Sequence, residues 1–191
     1  KYNLLFSFML GLWILIGVVA LLIIIFAGYY NRFVVLINRI ENSLGQIDVQ
    51  LKRRADLIPN LVESVKGYAK HEKAAISAVT EARKALIGAK DLPGKIKANN
   101  VLEGALGKLF AIAEAYPDLK ANTNFLELQR ELTATEDRVA YSRQFYNDSI
   151  LSYNNKCKTF PGNLFAGMYG FKEKQYLQIV ESDRKPVKVS F

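Results

Sequence analysis

The stretch RFVVLINRIENSLGQIDVQL, Arg32 to Leu51, decides the fold. Phe33, Ile37, Ile40, Leu44, Ile47 and Leu51 recur at alternating spacings of four and three, the seam by which long helices pack side by side. A strand would alternate every second residue, and almost no such alternation occurs in the chain. The seam resumes downstream at Ile58, Leu61, Val65 and Tyr68, then Ile76, Val79 and Leu86. A later helix carries Leu102, Leu106, Leu109, Ile112 and Tyr116. A long one carries Phe125, Leu128, Leu132, Thr135, Val139, Ser142, Tyr146, Ser149 and Tyr153. The fold class is therefore all-α: an antiparallel bundle of long helices.

Upstream of the seam, LLFSFMLGLWILIGVVALLIIIFAG, Leu4 to Gly28, contains no charged side chain. About 20 apolar residues in a helix suffice to cross a bilayer. A cleavable signal sequence has an apolar region of only ~7–15 residues before small residues. The run is longer and bulkier than that, so it reads as a retained transmembrane helix. Tyr29 and Tyr30 stand at its far end, where amphipathic rings favour the headgroup layer, and are membrane-interface candidates. Arg32, Arg39, Lys52, Arg53 and Arg54 follow, which by the positive-inside rule places the body in the cytoplasm. The expected division is an anchor over 1–30, a helical-bundle domain over 31–180 and a mobile tail over 181–191.

The chain has 191 residues and a net charge of +8. Arg32 to Lys97 holds thirteen Lys/Arg against seven Asp/Glu, whereas Asn99 to the end holds twelve against eleven. The basic excess thus lies in the half nearest the anchor, where anionic lipid attracts it. The lone Cys157 cannot form an intramolecular disulfide.

Lys52, Arg53 and Arg54 precede Pro59 in QLKRRADLIPNLVESVKGYAKHE. They form a candidate recognition surface, against the blander reading of a solvated helix face. Successive helical residues diverge by about 100°, so the three cannot face one point. At least one is expected to be structural, pairing with a carboxylate on a neighbouring helix. A straight helix from Tyr30 to Arg54 covers about 36 Å, which sets the triplet off the bilayer and favours a protein partner over direct lipid contact. Pro59 lacks an amide donor and restricts Ile58, so it is expected to interrupt the helix. Asp56 could cap a new helix there, while the unbroken apolar period favours a kink. Asn100-Val-Leu-Glu103 and Asn124-Phe-Leu-Glu127 resemble capping boxes that open helices. Near the end, Phe165, Met168, Tyr169 and Phe171 either cap the bundle core or form a docking surface.

No catalytic constellation assembles. His71 is the only histidine, and His71-Glu72 lacks a second one at Ala75. Gly107-Lys108 lacks both the upstream glycine and the hydroxyl of a phosphate-binding loop. The adjacent Glu136 and Asp137 read as solvated surface. No catalytic, cofactor or metal residue is assigned, and no cofactor is expected. The expected partners are membrane lipid, through the N-terminal helix, and a membrane protein. A homo-oligomer is a further candidate, and nucleic acid is not expected, since the chain lacks an RNA-binding aromatic motif and a zinc finger.

Four segments together resemble the LemA family: YNRFVVLINRIENSLGQIDVQLKRRADLIPNLVESVKGYAKHE after the apolar run, AVTEARKA, LGKLFAIAEAYPDLKANTNFLELQRELTATEDRVAYSRQFYND, and FPGNLFAGMYGFKEKQYL. The resemblance implies a bacterial protein with an N-terminal membrane helix and a helical-bundle domain. It carries over no enzymatic activity and no catalytic or cofactor residue. A non-enzymatic scaffold or interaction partner at the inner membrane is the reading it supports. The alternatives are an accessory subunit of a membrane enzyme or transporter, or a binder of anionic lipid or other phosphate ligands through the basic half.

Overall fold

The computed structural model describes residues 2–177, with side chains from residue 9. The expected tail over 181–191 lies outside the described residues. There are six helices: α1 (Tyr2–Tyr68), α2 (Lys73–Gly88), α3 (Leu92–Ala113), α4 (Pro117–Lys120), α5 (Thr123–Lys158) and α6 (Gly162–Tyr169). Among the described residues there is no strand.

Helix α1 changes character along its length. Every residue from Met9 to Gly28 is exposed, and this stretch is long and apolar enough to cross a membrane. Beyond it the buried positions are Phe33, Leu36, Ile40, Ser43, Ile47 and Leu51. Leu36 and Ser43 thus lie inside where the 3.5-residue seam points to Ile37 and Leu44. Ile37 and Leu44, each one residue further along, are half-buried at the edge of the same face. At the far end Ala69 is buried and Tyr68 is exposed.

The chain separates into two compact units. One comprises α1 as far as Asn42 together with Asn147–Tyr176; the other comprises Ser43–Tyr146 and Leu177. This boundary falls inside α1 and α5.

In the larger unit the cluster formed by Ile47, Leu51, Ile58, Leu61, Leu102, Leu109, Leu132 and Val139 joins α1, α3 and α5. Polar contacts fix the directions. Arg53 meets Glu131 and Tyr68 meets Asn122, so α5 descends as α1 rises. Asp48 meets Lys95 and Arg54 meets Asn99, so α3 runs parallel to α1. Arg83 of α2 reaches back to Ala55, which makes α2 antiparallel. In the smaller unit Phe33, Ile40, Ile150, Tyr153 and Ala166 are buried.

Three expectations are corrected. Helix α1 runs on through Pro59 without interruption. The missing amide would have bonded to the carbonyl of Ala55, four residues earlier. Arg83 Nε donates to it instead, at 2.8 Å, so the proline leaves no orphan acceptor. Asn100 does not open a helix: α3 begins at Leu92, with Asp91 as N-cap and a proline in its first turn, where the lost amide costs nothing. Asn124 is likewise already helical. The side chain of Asn122, two residues earlier, accepts from the Phe125 amide at 3.0 Å.

Candidate functional site

The basic triplet divides by helix phase. Counting from Ile47 and Leu51, the three-four alternation passes through residue 54 before Ile58, Leu61 and Val65. Arg54 therefore occupies a core position and is 1% exposed, whereas Lys52 and Arg53 lie outside. Arg53 Nη2 sits 2.9 Å from Glu131, with both side chains half open to water. Such a pair contributes about 0–1 kcal/mol. Lys52 borders a groove of about 350 Å³ between α1, α2 and the start of α3.

Arg54 is incompletely compensated. Its Nη1 donates to Asn99 Oδ1 at 3.2 Å, and its Nη2 lies 3.4 Å from Glu136, a long contact. Its Nε has no hydrogen-bond partner. Burial pushes the guanidinium pKa below its ordinary value, and the carboxylates of Glu136 and Glu103 act in the opposite direction. Asn99, 2% exposed, occupies a seam position of α3, and Thr135, fully buried, one of α5. Arg54, Asn99 and Thr135 are thus polar residues on the core seams of three helices, and their seam neighbours Leu51, Ile58, Leu102 and Leu132 are apolar.

Arg54 lines a cleft of about 600 Å³ between α1, α3 and α5, with Asn99, Glu103, Phe110, Glu136 and Arg143. The charges on its walls balance: two guanidinium groups face two carboxylates. The cleft can hydrogen-bond a polar solute. The two carboxylates disfavour a phosphate anion there. Sequence reading missed Asn99, Glu103, Glu136 and Arg143. Only the seam phase signals any of them, through Asn99; Glu136, read as solvated surface, is 42% exposed but turns to the buried Arg54.

In the smaller unit all the remaining candidates but Met168 come together. Phe165 stacks on Tyr29 with centroids 4.3 Å apart and meets Phe26 edge-on at 5.8 Å. Tyr169 lies edge-on to Phe26 at 4.7 Å and to Tyr30 at 5.3 Å. Its hydroxyl donates to the Phe26 carbonyl at 2.5 Å. Phe171 packs on Phe33 at 4.9 Å. Lys156 Nζ stands 4.3 Å over the Tyr29 ring. Met168 is not in this cluster and is 66% exposed. The sharp return after α6 uses Gly170 at φ 74°, a left-handed position that lets the Phe171 amide bond back to Ala166. Gly162 is also required: a Cβ there would stand 2.3 Å from the Lys156 carbonyl oxygen.

His71 is exposed. Cys157 is half-buried, and burial raises its thiol pKa, which disfavours the nucleophilic thiolate. Among the described residues no group of three His, Cys, Asp or Glu is placed to hold a metal.

Protein LemA of Metamycoplasma hominis is 29% identical over 170 residues, covering 87% of this chain and 76% of that protein. Magnetosome protein MamQ 2 of Paramagnetospirillum magneticum is 26% identical over 184 residues, covering 83% and 68%. Magnetosome protein MamQ of Magnetospirillum gryphiswaldense shows the same identity and coverage. The family model described as LemA family matches residues 43–191, most of the chain, and the protein belongs to that family.

Proposed function

We propose that the chain is a membrane-anchored, non-enzymatic scaffold or interaction protein of the bacterial inner membrane, with an anchor over 1–30 and a helical body in the cytoplasm. One observation carries this reading. A single helix leads from an uncharged, wholly exposed stretch into the buried seam of a bundle, so whatever the bundle binds is held at a bilayer. The relatives' names denote a structure and a family, not a reaction, which supports the same reading. Arg32 and Arg39, just beyond the apolar run, favour the cytoplasmic side for the body.

Crosslinking in native membranes followed by mass spectrometry tests the proposal. Reproducible recovery of a membrane-protein partner is the expected result. Turnover of a substrate by the purified chain alone would overturn it. Protease added to intact spheroplasts should leave the body whole; digestion from outside would reverse the orientation. An accessory-subunit role differs only in the partner's identity, which the same experiment reads. Binding of phosphate ligands through the triplet is less well supported, because Arg53 is held by Glu131 and Arg54 by Asn99 and Glu136.

A further inference from the structure

Helix α6 satisfies only half of its surface. Gly162 and Ala166 are buried, and Phe165 and Tyr169 pack against Phe26, Tyr29 and Tyr30. At 100° per residue, Leu164 and Met168 project from the opposite side. They are 57% and 66% exposed, and Phe160, just before the helix, is 80% exposed. Capping a core accounts for the first set of residues and not for the second.

The level of α6 along α1 supplies the occupant. Its contacts fall on residues 26–30, where the uncharged run gives way to Asn31 and Arg32. An apolar groove of about 560 Å³, lined by Leu22, Ile23, Phe26, Tyr30 and Tyr169, continues into the run from there. A segment fixed beside the end of a membrane-spanning stretch lies at the boundary between headgroups and acyl chains. The surrounding charge is suited to anionic lipid. Within this unit from Arg32 onward there are six Lys/Arg against three Asp/Glu, and Lys172 and Lys174, both exposed, follow α6 in sequence.

We propose that α6 is a second membrane-contacting element. It lies in the headgroup layer at the end of the α1 span, with Phe160, Leu164 and Met168 inserted among anionic lipids, in the manner of an interfacial helix. This rests on the reading of α1 as a membrane span, and the test separates the two.

The full chain is reconstituted into phosphatidylcholine vesicles with and without phosphatidylglycerol. The acyl chains carry bromine either near the glycerol end or near the chain middle, and tryptophan quenching is read. Trp13, the only tryptophan, reports the anchor in the unaltered protein. Leu164→Trp and Met168→Trp, each in a Trp13→Phe background, report α6. Trp13 should be quenched best by the deep bromines. Both α6 reporters should be quenched better by the shallow ones, by roughly twofold or more, as expected for insertion to the headgroup/acyl boundary, and more strongly with phosphatidylglycerol present. Deep quenching of Trp13 with neither α6 reporter quenched overturns the proposal and leaves the anchor standing; that pattern marks the face as a protein-docking surface. Quenching of α6 that ignores phosphatidylglycerol overturns the preference for anionic lipid. An unquenched Trp13 overturns the anchor and the proposal with it. The two α6 reporters are independent, so a misfolded variant at one position does not remove the test.

Discussion

Replacing Arg83 with methionine tests why α1 survives a proline in its middle. Pro59 has no amide to offer the Ala55 carbonyl, and Ala55 is only 2% exposed, so water cannot easily replace the lost bond. Arg83 Nε fills the gap at 2.8 Å. A hydrogen bond from a charged donor contributes about 1.5–3 kcal/mol, and a buried carbonyl left alone costs about 1–3 kcal/mol. These are two measures of one loss, so Arg83→Met should destabilise by about 2 kcal/mol. Methionine keeps most of the aliphatic stem, which limits the packing change. In a Pro59→Ala background the restored amide reaches the same carbonyl, and Arg83→Met should then cost only about 0.5 kcal/mol. The coupling between the two changes is therefore about 1.5 kcal/mol. For a chain of this size that corresponds to about 3–6 °C in Tm. Circular dichroism melts and urea titrations of the four full-length chains in one detergent would measure it. An Arg83→Met cost that is equal in both backgrounds refutes the reasoning, because Arg83 would then act independently of the proline.

Three further outcomes follow from the geometry. Arg54→Ala should melt early, by about 2–4 kcal/mol, because it opens a core cavity and leaves Asn99 unpaired, whereas Arg53→Ala should cost no more than ~1 kcal/mol and Lys52→Ala within ~0.5 kcal/mol; three equal melts would contradict the phase assignment. Burial pushes the Tyr153 phenol up to about 12, with the neighbouring Cys157 adding to the effect. A tyrosine raised above its unfolded value of about 10 favours the folded state fully below that pH and loses this contribution as pH climbs toward 12. Stability should therefore fall over that interval, less so in Tyr153→Phe, as read by difference ultraviolet titration and circular dichroism. Gly162→Ala should destabilise the α5–α6 corner, since a Cβ at 2.3 Å from a backbone oxygen forces movement; loss of the Tyr29–Phe165 stack would appear in the near-ultraviolet spectrum, and an unchanged spectrum would show that the corner yields freely.

The fold was legible because its determinants are local and periodic. The uncharged run and the three-four spacing of Phe33 through Leu51 announce a long helix by themselves. The continuity of α1 through Pro59 was not legible, because its cause is a side chain on another helix: nothing near Pro59 indicates that Arg83 will reach Ala55. The capping boxes misled for a related reason. Asn100 and Glu103 have the right spacing, but Pro93 starts the helix a few turns earlier, and a helix once nucleated continues through a cap-like pair. In the candidate site, Arg54 could have been singled out by carrying the seam phase through residue 54. Its partners Asn99 and Glu136 depend on which helices adjoin α1, and on their register, which pairwise spacing within a helix does not encode. The exposed side of α6 was likewise ambiguous, since Phe165 and Met168 look alike in sequence and only the packing against Phe26 and Tyr29 separates them.

The central claim is that α1 holds this bundle to a bilayer from within. Extraction of native membranes with alkaline carbonate tests it most directly. The chain is predicted to remain entirely in the membrane pellet, while a fragment lacking residues 1–30 is not retained as an integral protein. Release of the full chain into the supernatant would contradict the claim.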